Sequence, residues 1–346
     1  MNQNMRIRDI VAEPGTKKTG FLQIADLYGY GLKIPLMIVN GKTDGSVLSV
    51  VAGTHGCEYA GIETVMRLFT KLDPNSLKGA LLLVPIVNMP GFLGRFAYVN
   101  PIDELNIDSL FDGAGAKPHA PKLGRAYGIY TSSLIYPYGI KGSVSELMAD
   151  ALYGEVVSKS NYVIDLHGGD FPEEVEDRVA ISNTANKTVD SMSESLGRCF
   201  GVRYMFSDDA QNSGGGLVGK ANRAKIAGVV AKAGDSGKLQ EEAVELLYEG
   251  TLNALKYLKM LDGTAKLGNP KTIKVRHIIK SNHAGVYIPK RRTGDLVNKG
   301  DAIGIVHDLF GKVVDELRAP ASGLLYFQHY NPSVLPGDII WMLGEV

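Results

Sequence analysis

The chain has 346 residues, 45% apolar and 21% charged, enough hydrophobic material for a sizeable core and unlike a disordered or fibrous protein. Lysine plus arginine equals aspartate plus glutamate at 37 each, so no net field recruits nucleic acid or an anionic membrane. Two cysteines, Cys57 and Cys199, are too few for a disulfide framework and fit a reducing, cytoplasmic setting.

Residues 1–10 are polar and charged, without the apolar stretch of a signal peptide, and no apolar run approaches the ~18 residues of a membrane span. Residues 46–53 read as a strand buried on both faces, because their apolarity is nearly continuous. Ile62, Val65, Met66 and Phe69 then fall at helical spacing, which predicts an amphipathic helix over 58–72. A second buried strand is expected at 80–87, closed by Asn88-Met89-Pro90-Gly91. The stretch 113–138 is rich in Gly, Pro, Tyr and Ser and has no period; a loop of that length is usually functional. Helices at 143–159, 186–200 and 240–261 alternate with strands at 161–167, 202–206 and 226–231, which predicts an α/β fold with helices on both faces of a sheet. After 263–271 the pattern changes to short strands and turns, at 273–280, 285–289, 302–308, 312–318, 323–326 and 339–343. The chain therefore divides into an α/β domain, 1–267, and a smaller all-β module, 268–346.

Chemistry-bearing residues cluster at two strand ends. In Gly53-Thr54-His55-Gly56-Cys57-Glu58 a histidine leaves the first strand and a carboxylate opens the next helix, where open α/β sheets place ligands. In Ile164-Asp165-Leu166-His167-Gly168-Gly169 a second histidine ends another apolar strand. Two imidazoles and a carboxylate with an open fourth position make a catalytic type of zinc site, and Asp165 is placed to accept from a ligand imidazole. Each motif alone is common; their joint occurrence at two strand ends is what carries the reading. The acidic run 170–177 reads as a solvated charged loop, and Cys57 as a small buried side chain.

These motifs, with Asn88-Met89-Pro90-Gly91-Phe92, residues 95–106, residues 233–242 and the tail around Gly294–Gly300 and Ala319–Gly323, resemble the succinylglutamate desuccinylase/aspartoacylase family of the zinc carboxypeptidase superfamily. The resemblance implies a carboxypeptidase-like mixed sheet flanked by helices and a β module of lipoyl- or biotinyl-type fold. It also implies hydrolysis of a small N-acyl amino acid or related N-acyl amine by zinc-activated water. It makes His55, Glu58 and His167 the Zn2+ ligands and Arg95 the cation that polarises the scissile carbonyl. Association with further copies of the chain is left open.

Two positions depart from the family pattern. Where the family shows Asn-Leu-Asn-Arg, this chain has Asn106-Ile107-Asp108-Ser109, so the pair that grips a substrate carboxylate is replaced by Asp108 and Ser109. A neutral or cationic substrate end, or a carboxylate held elsewhere, follows. Where the family has its general-base glutamate stands Lys232, which at an ordinary pKa near 10.4 cannot take a proton from water at pH 7. A desolvated lysine base, another carboxylate such as Asp235, Asp108 or Glu241, and a catalytically impaired relative that binds small molecules all remain open.

Overall fold

The structure, a computed structural model, describes residues 2–27, 29–111, 142–209 and 216–346. The loop expected at 113–138 lies outside them. Nine strands form one mixed sheet, in the order Lys271–Ile273, Tyr204–Asp209, Arg178–Asn183, Ala227–Lys232, Tyr162–His167, Thr43–Ala52, Lys78–Val84, Tyr30–Asn40, Thr16–Leu27. The expected α/β architecture is therefore present. Among the described residues, no helix is long and apolar enough to cross a membrane.

The sheet's centre is parallel. Tyr162–His167 lies between Thr43–Ala52 and Ala227–Lys232 and runs in the same direction as both. Side chains alternate between faces along these strands. Leu48, Val50, Ile164 and Leu166 pack with Val65 and Leu68 of helix Tyr59–Lys71 and Val244 and Leu247 of helix Glu241–Tyr257. Val51 and Val163 face the other way, onto Met148 and Leu152 of helix Val144–Glu155 and Leu217 and Val218 of helix Gly216–Arg223. Each such side chain removed from water contributes roughly 1.5–3 kcal/mol, which is why these strands read as unbroken apolar runs. Ser143 and Glu146 start helix Val144–Glu155 with a reciprocal capping box.

Several elements differ from the sequence reading. A long antiparallel hairpin, Thr16–Leu27 with Tyr30–Asn40, forms one flank of the sheet. Arg178–Asn183 enters antiparallel to Ala227–Lys232 and parallel to Tyr204–Asp209. The stretch expected as one strand at 273–280 is split: Lys271–Ile273 extends the large sheet beside Tyr204–Phe206, and Arg276–Lys280 pairs with Ile339–Gly344.

From Arg276 onward the chain forms two antiparallel sheets. Trp341, Ile303, Val306, Leu325 and Leu343 fill the space between them. One sheet contains a strand from elsewhere in the chain. Glu173–Val175 pairs antiparallel with Gly323–His329, matching Glu173 with His329 and Val175 with Phe327. The acidic run is thus not the solvated loop its charge suggests. Asp170 and Glu173 are buried, and backbone amides provide for them. Asp170 accepts from the N–H groups of Tyr98 and Phe171 at 2.8 Å each, and Glu173 Oε2 accepts from Asp170 N–H at 3.0 Å.

Candidate metal centre

Three side chains meet at the carboxyl ends of the central parallel strands, the position the topology favours for ligands. His55 follows Thr43–Ala52 through a turn that requires Gly53, whose φ is +64° and whose added Cβ would lie 2.9 Å from Ile86 Cα. Gly56 lets the turn pass against the 91–92 backbone, where a Cβ would come within 2.3 Å of Phe92 N. Glu58 is the N-cap of helix Tyr59–Lys71, yet its side chain makes no capping bond. A carboxylate at that position ordinarily accepts from the helix's first amides; here it turns to the histidines instead. His167 ends strand Tyr162–His167.

Glu58 Oε1 lies 2.9 Å from His55 Nδ1, and Oε2 lies 2.8 Å from His167 Nδ1. One donor atom from each residue lies within 4.8 Å of the others. All three are buried, with 7%, 2% and 2% of the surface of His55, Glu58 and His167 exposed, so water does not screen them. The outer nitrogens fix the tautomers. Asn106 Oδ1 accepts the Asp108 N–H at 3.0 Å and lies 3.3 Å from His55 Nε2, so that nitrogen carries a proton. Asp165 Oδ2 lies 3.2 Å from His167 Nε2 and takes a proton in the same way. In a neutral His167 the Nδ1 lone pair therefore faces the Glu58 carboxylate, whereas His55 Nδ1 is in hydrogen-bond contact with Glu58 Oε1. Glu58 Oε2 and His167 Nδ1 have no hydrogen bond despite their burial. Acceptors turned on acceptors in a dry site call for a cation between them.

The electrostatics agree. Burial alone would lower His167, but the Asp165 and Glu58 carboxylates outweigh it and push it up to about 10. Burial would raise Glu58, yet His167 and His55 hold it well below the usual carboxylate range. His55 is raised because Glu58 overcomes the burial that would lower it. Without a metal, protons supply the positive charge these groups demand. Cys57 is buried, and burial, then Asp170, push its thiol up to about 12; it is a neutral packing residue.

Around this cluster stand groups that the sequence reading did not single out. The Tyr98 ring packs edge-on against His55 at 5.7 Å between centroids. Its hydroxyl donates to Glu173, whose carboxyl is raised chiefly by burial. Burial and then Glu58 push the Asp170 carboxyl up to about 7. No local signal marks these three, because the chain is far from the histidines at each of them except in three dimensions.

The other expected site residues divide. Asp165 and Asn106 touch the histidines, as above. Asp108 lies in the field of His55 and of Asp165, its carboxylate against Gly216. The Ser109 hydroxyl turns back to donate to Asn106 O at 2.7 Å, on an exposed residue. Arg95 is exposed at the left-handed end of helix Met89–Gly94, φ +56°, and its charge reaches Tyr59. Lys232 is half-buried and is the register partner of His167. Of the alternative carboxylates, Glu241 is an exposed partner of Arg67, and the Asp235 side chain is 3.4 Å from Gln240 Nε2.

Comparison with known proteins places these features in context. Residues 44–258 match the model of the succinylglutamate desuccinylase/aspartoacylase catalytic domain. The N-alpha-acetyl-L-2,4-diaminobutyric acid deacetylase of Halomonas elongata is 25% identical over 347 residues, spanning 94% of this chain and 91% of that protein. The product-bound ectoine utilization protein EutE (DoeB) from Ruegeria pomeroyi superposes over 100% of both chains at 20% identity and a TM-score of 0.80. A succinylglutamate desuccinylase/aspartoacylase from Rhodobacter sphaeroides covers 95% of each chain at 20% identity and a TM-score of 0.78. At such identities the structural likenesses speak for the fold.

Proposed function

The chain belongs to the succinylglutamate desuccinylase/aspartoacylase family, and from that premise we propose that it is a zinc hydrolase cleaving the amide bond of a small N-acyl amine or amino acid. One observation carries the reading: the buried His55, Glu58 and His167 bring one potential ligand atom each within 4.8 Å of the others, with Glu58 Oε2 and His167 Nδ1 lacking hydrogen bonds. Two imidazoles and a carboxylate are the donor set of hydrolytic zinc sites that keep a position open. When bound there, zinc would lower the pKa of water and polarise the acyl carbonyl.

The protein's own groups do the rest. Asp165 and Asn106 hold the two imidazoles in the ligating tautomer. Burial of the cluster strengthens every charge interaction at the reacting bond. Asp108, standing where the family's carboxylate-gripping pair is expected, favours a substrate whose far end is neutral or cationic. The similarity to a deacetylase of N-alpha-acetyl-L-2,4-diaminobutyric acid supports the same choice, because that compound carries a free amine. Incubation of the zinc-loaded protein with N-acetyl diamino acids, read as released acetate, tests the activity. Release at the rate of a His55→Ala control rejects it. A binding protein without turnover is the second reading, favoured by Lys232 at the position of the expected base; calorimetric binding of such a compound with no acetate released would select it.

A further inference from the structure

Lys232 and His167 end neighbouring parallel strands and are partners in register, so their side chains leave the same face of the sheet, the face that also carries Asp165. The ammonium lies in the field of Glu173. Glu173 is itself fixed: it accepts from the Tyr98 hydroxyl and from the Asp170 N–H at 3.0 Å, and its strand is pinned by pairing with Gly323–His329 of the β module. Tyr98 in turn packs on His55. Lys232 is thus set on the strand next to His167, with its counter-charge on a fixed support.

Two other cations lie nearby, each with partners of its own. Arg95 is exposed and acts on Tyr59. Arg178 lies over the touching rings of Phe206 and Tyr326, at 5.6 and 5.2 Å, and donates to Glu176 O, although it too feels the charges of Glu173 and Glu58. An ammonium has no lone pair and cannot accept the proton of water, but it suits an oxygen that is becoming negative. Resting on the hydrolase reading above, we propose that Lys232 is the catalytic cation that binds the developing oxyanion of the acyl group, and that Glu173 is the residue that positions it. As the water oxygen bonds to the acyl carbon, the carbonyl π electrons move onto the carbonyl oxygen, which Lys232 meets. Collapse restores the carbonyl and breaks the C–N bond. The nitrogen leaves with a proton that the water has given up, so acid and amine form with no other reactant.

The test compares affinities in the zinc-loaded chain by calorimetry. The probes are the methylphosphonamidate analogue of an N-acetyl diamino acid, tetrahedral and anionic, and the free diamino acid. Replacing Lys232 by Met is expected to weaken the analogue about 100-fold, in step with kcat, while the diamino acid binds as before and zinc content stays at the wild-type level. Lys232→Arg keeps the charge and is expected to retain the analogue within about tenfold, and Glu173→Gln to weaken it about tenfold. Unchanged analogue binding in Lys232→Met, with turnover lost, overturns the assignment in favour of a proton-transfer role. A wild-type chain that holds neither zinc nor analogue fails at the hydrolase reading instead, so the two failures are distinct.

Discussion

Glu58 Oε2 and His167 Nδ1 lie 2.8 Å apart in the interior, and neither makes a hydrogen bond. This contact sets the character of the site. A helix N-cap carboxylate has been diverted from its helix to a strand-end imidazole that Asp165 holds from the other side. The arrangement is costly without a cation and well matched to one.

The Asp165 contact fixes the His167 ring and raises its basicity. Replacing Asp165 by Asn is expected to weaken zinc affinity about 10–100-fold with the fold retained, as measured by competition with a chromogenic chelator. Equal affinity in the two proteins would leave Asp165 a packing residue.

Stability of the metal-free protein depends on pH through Asp170. Its folded carboxyl is raised from 3.8 to about 7, so between those values the folded chain binds more protons than the unfolded one. Its contribution is therefore full below pH 4 and is lost as pH rises toward 7. The shift corresponds to roughly 4 kcal/mol at most. Urea unfolding of chelator-treated protein at pH 5 and pH 8 is expected to show a larger loss in wild type than in Asp170→Asn. Parallel losses would contradict the assignment.

Asp108 is expected to select for substrate charge. In Asp108→Asn, kcat/KM for an N-acetyl diamino acid should fall about 10–100-fold, the worth of a hydrogen bond to a charged group. An N-acetyl amino acid with an uncharged side chain should lose far less. Equal losses on both substrates would place Asp108 in a general role.

Phe206 of the large sheet touches Tyr326 of the β module, ring centroids 4.6 Å apart, and the Arg178 guanidinium lies over both rings. Arg178→Ala removes both ring contacts and the bond to Glu176 O, and is expected to cost about 2–4 kcal/mol in urea unfolding. The segment 173–175 should then become accessible to proteolysis. A change under about 0.5 kcal/mol, the level of an ordinary surface substitution, would show that the stack does not hold the module.

The gathering of His55, Glu58 and His167 was legible because each histidine closes an apolar run that only a buried strand explains, and Glu58 follows at helix-start spacing. Asp165 was readable for the same reason, two residues before His167 on one face. Tyr98, Asp170 and Glu173 were not, since their roles depend on the pairing of 173–175 with Gly323–His329, about 150 residues away, which no local pattern encodes. The charge of the 170–177 run pointed outward, and backbone amides reversed that expectation. Arg95, expected from its position in the chain, is exposed where the helix ends in a left-handed turn. The hairpin strand Tyr30–Asn40 did carry a signal, for Leu32, Ile34, Leu36 and Ile38 alternate at period two and are all buried.

Metal content decides the central claim. After zinc reconstitution and exhaustive dialysis, elemental analysis is expected to find about one zinc per wild-type chain and less than about a tenth in His55→Ala, Glu58→Gln or His167→Ala, each with wild-type circular dichroism. Equal zinc in wild type and all three variants would mean that these residues hold no metal, and the hydrolase account would not stand.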